Sequence, residues 1–126
     1  MDTRIYNIQI RALICHEGDE FVATALEMDL LGYGRSEIEA VEELKRAVEA
    51  QFSFALQMND PSLLEFPSGD DYFKRWEDCQ RKALRSQVLG DKPGRLQAKA
   101  VIITITPAEM KVLRTRTFAN RELVCA

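Results

Sequence analysis

The chain has 126 residues, 46% of them apolar and 29% charged, with a formal charge of −3. That balance suits one domain able to bury a core and sets aside an intrinsically disordered chain. No apolar run approaches the span of a bilayer, and the opening Met1-Asp2-Thr3-Arg4 lacks the pattern of a secretion signal, so the expected location is cytoplasmic. Cys15, Cys79 and Cys125 are odd in number and form no C-x-x-C pair, which argues against a disulfide framework and against a thiolate metal site. The charge is uneven: residues 1–94 hold 11 Lys/Arg against 18 Asp/Glu, whereas residues 95–126 hold 6 against 2. The basic end fits a nucleic-acid segment, or a tail that docks on an acidic body.

From Tyr6 to Ile14 the even positions are mainly apolar and the odd ones mainly polar, a period of two that predicts a strand over 4–16 with one buried face. His16 to Glu20 then supplies a polar loop with a glycine before the apolar run from Phe21 to Leu26, the pattern of a hairpin. Gly32 and Gly34 bracket Tyr33 where a sharp bend is expected, within a short third strand over 30–35. Ser36 and Glu39 form an S-x-x-E capping box. The helix it opens, over 37–57, carries Ile38, Val41, Leu44, Val48, Phe52 and Ala55 as its apolar stripe. Residues 61–69 read as an ordered connection with a cluster at Leu63, Leu64 and Phe66, and Ser68 reads as the cap of a second helix over 69–89. Tyr72, Phe73, Trp76, Cys79, Ala83 and Leu84 line one side of it. The β-branched run within 97–106 predicts a fourth strand, and Thr106-Pro107-Ala108-Glu109 opens a helix to about residue 117. The expected fold is α+β, a two-layer antiparallel sheet in the order β-β-β-α-α-β with helices packed on one face. Residues 1–106 form its single domain, and 107–126 a short basic helix or tail.

The segment Glu27-Met28-Asp29-Leu30-Leu31-Gly32-Tyr33-Gly34-Arg35-Ser36-Glu37-Ile38-Glu39-Ala40, following a β-hairpin, resembles the HicB-like antitoxin family over residues 5–55. Asp29, Gly32, Gly34, Ser36, Glu39 and Ala40 follow the family order, whereas Met28 stands where the family usually has proline, and Gly34-Arg35-Ser36 replaces its usual Gly-Asp-Thr. The resemblance implies a partial ribonuclease H-like fold without activity, and a partner in the form of a small basic RNA-cleaving toxin. The partner is expected to bind at the sheet and bend around Asp29, which fits the family order, with Tyr33 and Arg35 beside it as the residue types that usually anchor interfaces, and with Gly32, Gly34, Ser36, Glu39 and Ala40 shaping the motif. Many members carry a C-terminal DNA-binding module. The segment 98–110 resembles the opening of a ribbon-helix-helix unit, but the chain after residue 117 is too short for its second helix. The strand is therefore expected in the main sheet or in a dimer interface, with nucleic-acid binding through 98–117 an unfavoured alternative.

Residue chemistry points away from catalysis. His16 is the only histidine, and neither Cys15 nor Cys79 has a neighbouring base pattern, so no nucleophile–base pair forms. Glu27 and Asp29, two apart on a strand, would be placed to share a divalent ion, but no third ligand can be named. Tyr72, Phe73 and Trp76 suit a base-stacking platform less well than a core stripe. The expectation is a protein without cofactor, metal or catalytic residues that acts by binding. Its alternatives are a stand-alone homo-oligomeric scaffold and, ranked below it, a divergent metal-dependent nuclease. Homo-oligomers are expected because a small open sheet leaves edges to cover.

Overall fold

The computed structural model describes residues 7–90 and 98–113. A four-stranded antiparallel sheet is built from β1 (Ile8–Glu17), β2 (Glu20–Ala25), β3 (Leu30–Gly34) and β4 (Ala98–Ile105), in the spatial order β3-β2-β1-β4. Between β3 and β4 the chain forms α1 (Glu37–Met58), a single 3-10 turn (Pro61–Leu64) and α2 (Asp70–Leu89). The α+β class, the antiparallel sheet and the order β-β-β-α-α-β are those expected from the sequence. The start of the first strand, expected from residue 4, the start of the fourth, expected from residue 97, and everything beyond residue 113 lie outside the described residues.

The hairpin closes with Glu17 opposite Glu20, and the positive φ of Gly18 provides the tight reversal that an L side chain would resist. His16 stacks on Phe21 across the strands, with ring centroids 4.4 Å apart. β4 returns to pair with β1 over eight residues, from Ile8 opposite Ile105 to Cys15 opposite Ala98. Ala98–Ile105 is therefore a strand of the main sheet. Residues 107–113 are helical, capped by Thr106, whose hydroxyl accepts the Glu109 N–H at 3.2 Å. Leu113 is buried in the main core.

The helices do not share one face, which corrects the two-layer expectation. Ile10, Ala12 and Ile14 of β1 pack with Ala40, Leu44, Val48 and Phe52 of α1, whereas Leu13 packs with Trp76 of α2 and with Leu26. Alternate residues of a strand point to opposite faces, so α1 and α2 lie on opposite sides of the sheet. The odd positions of β1 were expected on a polar face, but Leu13 is fully buried there and Cys15 packs beside it. Burial of side chains as large as Leu13, Leu26 and Trp76 contributes about 2 kcal/mol each, enough to hold a helix on that side.

The stripe of α1 also differs from the reading. Ile38 is 72% exposed, and the inward positions are Ala40, Leu44, Val48, Phe52 and Ala55. Asn59 ends the helix in the left-handed conformation, and Gln51 ties it to the following turn by donating to the Leu63 carbonyl at 2.7 Å. In the connection, Leu64 reaches the core while Phe66 is exposed. On α2 only Trp76 is buried; Leu84 is exposed, and the expected stripe stops at Cys79.

Candidate partner-binding site

The site expected around Asp29, Tyr33 and Arg35 is built on β3, an edge strand lying under the first turns of α1. Gly32 and Gly34 do not make the bend. Both sit in regular strand with α1 pressed against them: a Cβ on Gly32 would come within 2.5 Å of the Ala40 carbonyl oxygen, and one on Gly34 within 2.5 Å of the Ala40 nitrogen. Ala40 is itself fully buried, so the seam between strand and helix is closed with the smallest side chains available.

The inward side of β3 carries Leu30 followed by the two glycines, so beside α1 the bulk lies on its outward side. Leu31 and Tyr33 are 46% and 45% exposed, and Arg35 continues the same alternation at the end of the strand, also exposed. Tyr33 stands opposite Val22, on the sheet face that α2 covers further along over β1 and β4. The structure thus brings Tyr33 and Arg35 onto one side and adds Leu31, a residue not anticipated. Its parity with Tyr33, out of phase with Leu30, Gly32 and Gly34, was the signal for it.

Asp29 belongs to the turn before the strand, six residues from Arg35 and so about 20 Å away along an extended chain. Its backbone is left-handed, with φ 51°, and its Oδ1 accepts the hydroxyl hydrogen of Ser68 at 2.8 Å. Ser68 therefore does not cap α2; Gly69 holds that position without a side-chain bond. The Ser68 N–H donates to the Leu26 carbonyl at 2.7 Å, so this buried serine clamps both ends of the turn.

At the other end Ser36 accepts the Glu39 N–H at 3.1 Å, and Glu39 reaches back to accept the Arg35 N–H at 3.0 Å. The capping box is formed, with its return bond on the residue before the cap. It holds the Arg35 backbone in place and leaves the side chain on the surface.

The carboxylates of Glu27 and Asp29 do not converge. Glu27 accepts from the Arg11 Nε at 2.8 Å and from the Arg11 backbone N–H at 3.1 Å, while Asp29 is turned to Ser68. The Arg11 guanidinium in turn lies over Phe73, 4.7 Å from the ring centre, and near Trp76 at 5.9 Å. Trp76 donates its indole N–H to the Val101 carbonyl at 3.2 Å. Phe73 and Trp76 are thus spent on packing, leaving Tyr72 as the exposed ring of the three. Among the described residues no three His, Cys, Asp or Glu side chains are grouped to hold a metal ion. Cys79 sits against the sheet, its thiol donating to the Ala98 carbonyl at 3.6 Å, and burial pushes its pKa up despite Lys82 and Arg75. Cys15 accepts a contact from Arg75 at 3.3 Å. No described helix is long and apolar enough to cross a membrane.

Comparison with family models, with curated proteins and with solved structures gives no match for this chain.

Proposed function

We propose that the chain is a HicB-like, non-catalytic binding protein of the cytoplasm that assembles as a homo-oligomer and acts as an antitoxin, masking a small basic RNA-cleaving toxin. The observation that carries this reading is the division of β3 into a glycine side sealed against α1 and an outer side presenting Leu31, Tyr33 and Arg35. Aromatic and arginine side chains on a rigid support are the usual anchors of protein interfaces. An edge strand also offers unpaired backbone groups that a partner's strand or loop can use. The acidic excess of residues 1–94 favours capture of a basic partner at low salt, while the β3 side chains set specificity.

The test is co-expression with a small basic protein encoded beside this one, followed by co-purification and a growth-rescue assay. Rescue by the wild-type chain, lost on combining Tyr33→Ala with Arg35→Ala, supports the proposal. Absence of such a neighbour, or a pair that neither co-purifies nor rescues growth, overturns it.

A further inference from the structure

The fold brings two cysteines together from distant parts of the chain. Cys15 lies near the end of β1 and Cys79 at the middle of α2, and both pack on the smaller cluster of Leu13, Leu26 and Trp76. Cys15 stands directly opposite Ala98 in the pairing of β1 with β4, where facing Cα atoms are about 5 Å apart. The Cys79 thiol reaches the carbonyl of that same Ala98 at 3.6 Å. Under this part of α2 the sheet presents Ala98 and Ala100, side chains small enough for the helix to sit close.

Arg75 sets the direction of the Cys15 side chain. It precedes Cys79 by one helical turn, so the two share a face of α2, and its Nη2 donates to the Cys15 sulfur at 3.3 Å. The Cys15 sulfur is thus turned towards the side of α2 that carries Cys79. The two thiols also feel each other: burial raises the Cys79 pKa most, and negative charge on Cys15 adds to it, against Lys82 and Arg75. Both residues are half-buried, which leaves an approach for a small oxidant. A cysteine serving only as a small core residue requires neither a guanidinium at its sulfur nor a second thiol beside it.

We propose that Cys15 and Cys79 form a reversible disulfide on exposure to a peroxide, a cross-link that pins the middle of α2 to β1. The Cys15 sulfur, having lost its proton, attacks one oxygen of hydrogen peroxide; the S–O bond forms, the O–O bond breaks, and the departing hydroxide takes up that proton as water. The Cys79 sulfur then attacks the sulfenic acid on Cys15: the S–S bond forms, the S–O bond breaks, and the oxygen leaves as a second water with the Cys79 proton. Two thiols lose two electrons and the peroxide gains them. Closing the bond requires Cys79 to give up the Ala98 carbonyl and rotate towards β1, on a helix already seated against the sheet. Because the bond joins elements far apart in the chain, it restricts the unfolded state and holds the folded one.

The experiment uses the full chain carrying Cys125→Ser, which leaves this pair alone. After a small excess of hydrogen peroxide and alkylation of any remaining thiol, the expected product is a single chain on a denaturing, non-reducing gel. Its mass should be lower by two hydrogens with no alkyl group added, and proteolysis should release the Cys15 and Cys79 peptides joined. Its melting temperature should stand about 10 °C above that of the reduced chain, and dithiothreitol should reverse the rise. Adding Cys15→Ser or Cys79→Ser should abolish that rise. Two alkylated thiols after peroxide, sulfinic acid at either position, or a bond between chains instead of within one overturns the proposal. So does a joined pair whose melting temperature is unchanged or lowered, since the bond would then strain the contact it is proposed to hold.

Discussion

Ser68 donates its hydroxyl hydrogen to the Asp29 carboxylate at 2.8 Å, joining the turn before β3 to the segment before α2 across 39 residues. Asp29 tolerates the left-handed conformation because its short polar side chain adapts to it. The buried serine is satisfied by the exposed carboxylate, and water can replace only one side of that pair. Ser68→Ala should cost about 1 kcal/mol in urea denaturation. Asp29→Asn, which keeps an acceptor and the backbone preference, should cost well below that. Asp29→Val, which loses the acceptor and strains the backbone, should cost more than either.

The seam at Gly32 and Gly34 makes a sharper case. An added methyl would meet helix backbone rather than a movable side chain tip. Gly32→Ala should therefore destabilise by about 3 kcal/mol or more, because β3 and α1 must separate to admit it. Gly18 provides the contrast: nothing lies within 4 Å of a Cβ there, so Gly18→Ala should cost only about 1 kcal/mol, from its positive φ. Thermal melts of the two variants should differ accordingly.

Arg11 and Glu27 form the third testable element. The pair is only partly buried, which discounts its electrostatic worth, but the Arg11 guanidinium also covers Phe73. A double-mutant cycle on Arg11→Ala and Glu27→Ala should give a coupling of about 1 kcal/mol. Arg11→Ala alone should cost more than Glu27→Ala alone, since it uncovers the aromatic pair as well. Equal costs would mean that the packing contribution is absent.

The local signals in the sequence were the ones that carried furthest. Ser36 with Glu39, and Asn59 after the apolar stripe, placed α1 to within a residue at both ends, because capping depends only on near neighbours. What the chain does at a distance was less legible. Ile38 outranks Ala40 in hydrophobicity, yet the closeness of Gly32 and Gly34 makes alanine the inward residue, and that closeness is tertiary. Leu13 and Cys15 among the polar odd positions of β1 were the visible trace of a second covering helix. Ser68 has the chemistry of a cap, and only the fold reveals that Asp29 is its partner. Of the candidate site, Tyr33 and Arg35 lie together as their spacing requires, and Asp29 is set apart by the turn.

A fourth prediction concerns pH. Burial raises the Cys79 thiol above its ordinary value of 9.0, partly opposed by Lys82 and Arg75. The fold thus prefers the neutral thiol. Its contribution is complete below the unfolded thiol's range and is lost as pH rises beyond it, because the unfolded chain then gains by ionising first. Urea midpoints should fall between about pH 8 and pH 10, and Cys79→Ala should flatten that fall. At neutral pH the Cys79 thiol should also alkylate more slowly than an unstructured peptide thiol, since little thiolate is present.

The pairing of Ile8 with Ile105 and of Cys15 with Ala98 has a consequence for how the molecule is made. During synthesis β1, β2, β3 and both long helices leave the ribosome before β4 exists, so the hydrogen-bonding groups along one side of β1 wait without their strand. Long-range closure of this kind is slow, and an uncovered strand edge is the feature through which nascent chains stick to one another. The growing polypeptide is therefore most vulnerable in the interval between the emergence of Leu89 and that of Ile105, when β1, an inner strand of the finished sheet, is still an edge.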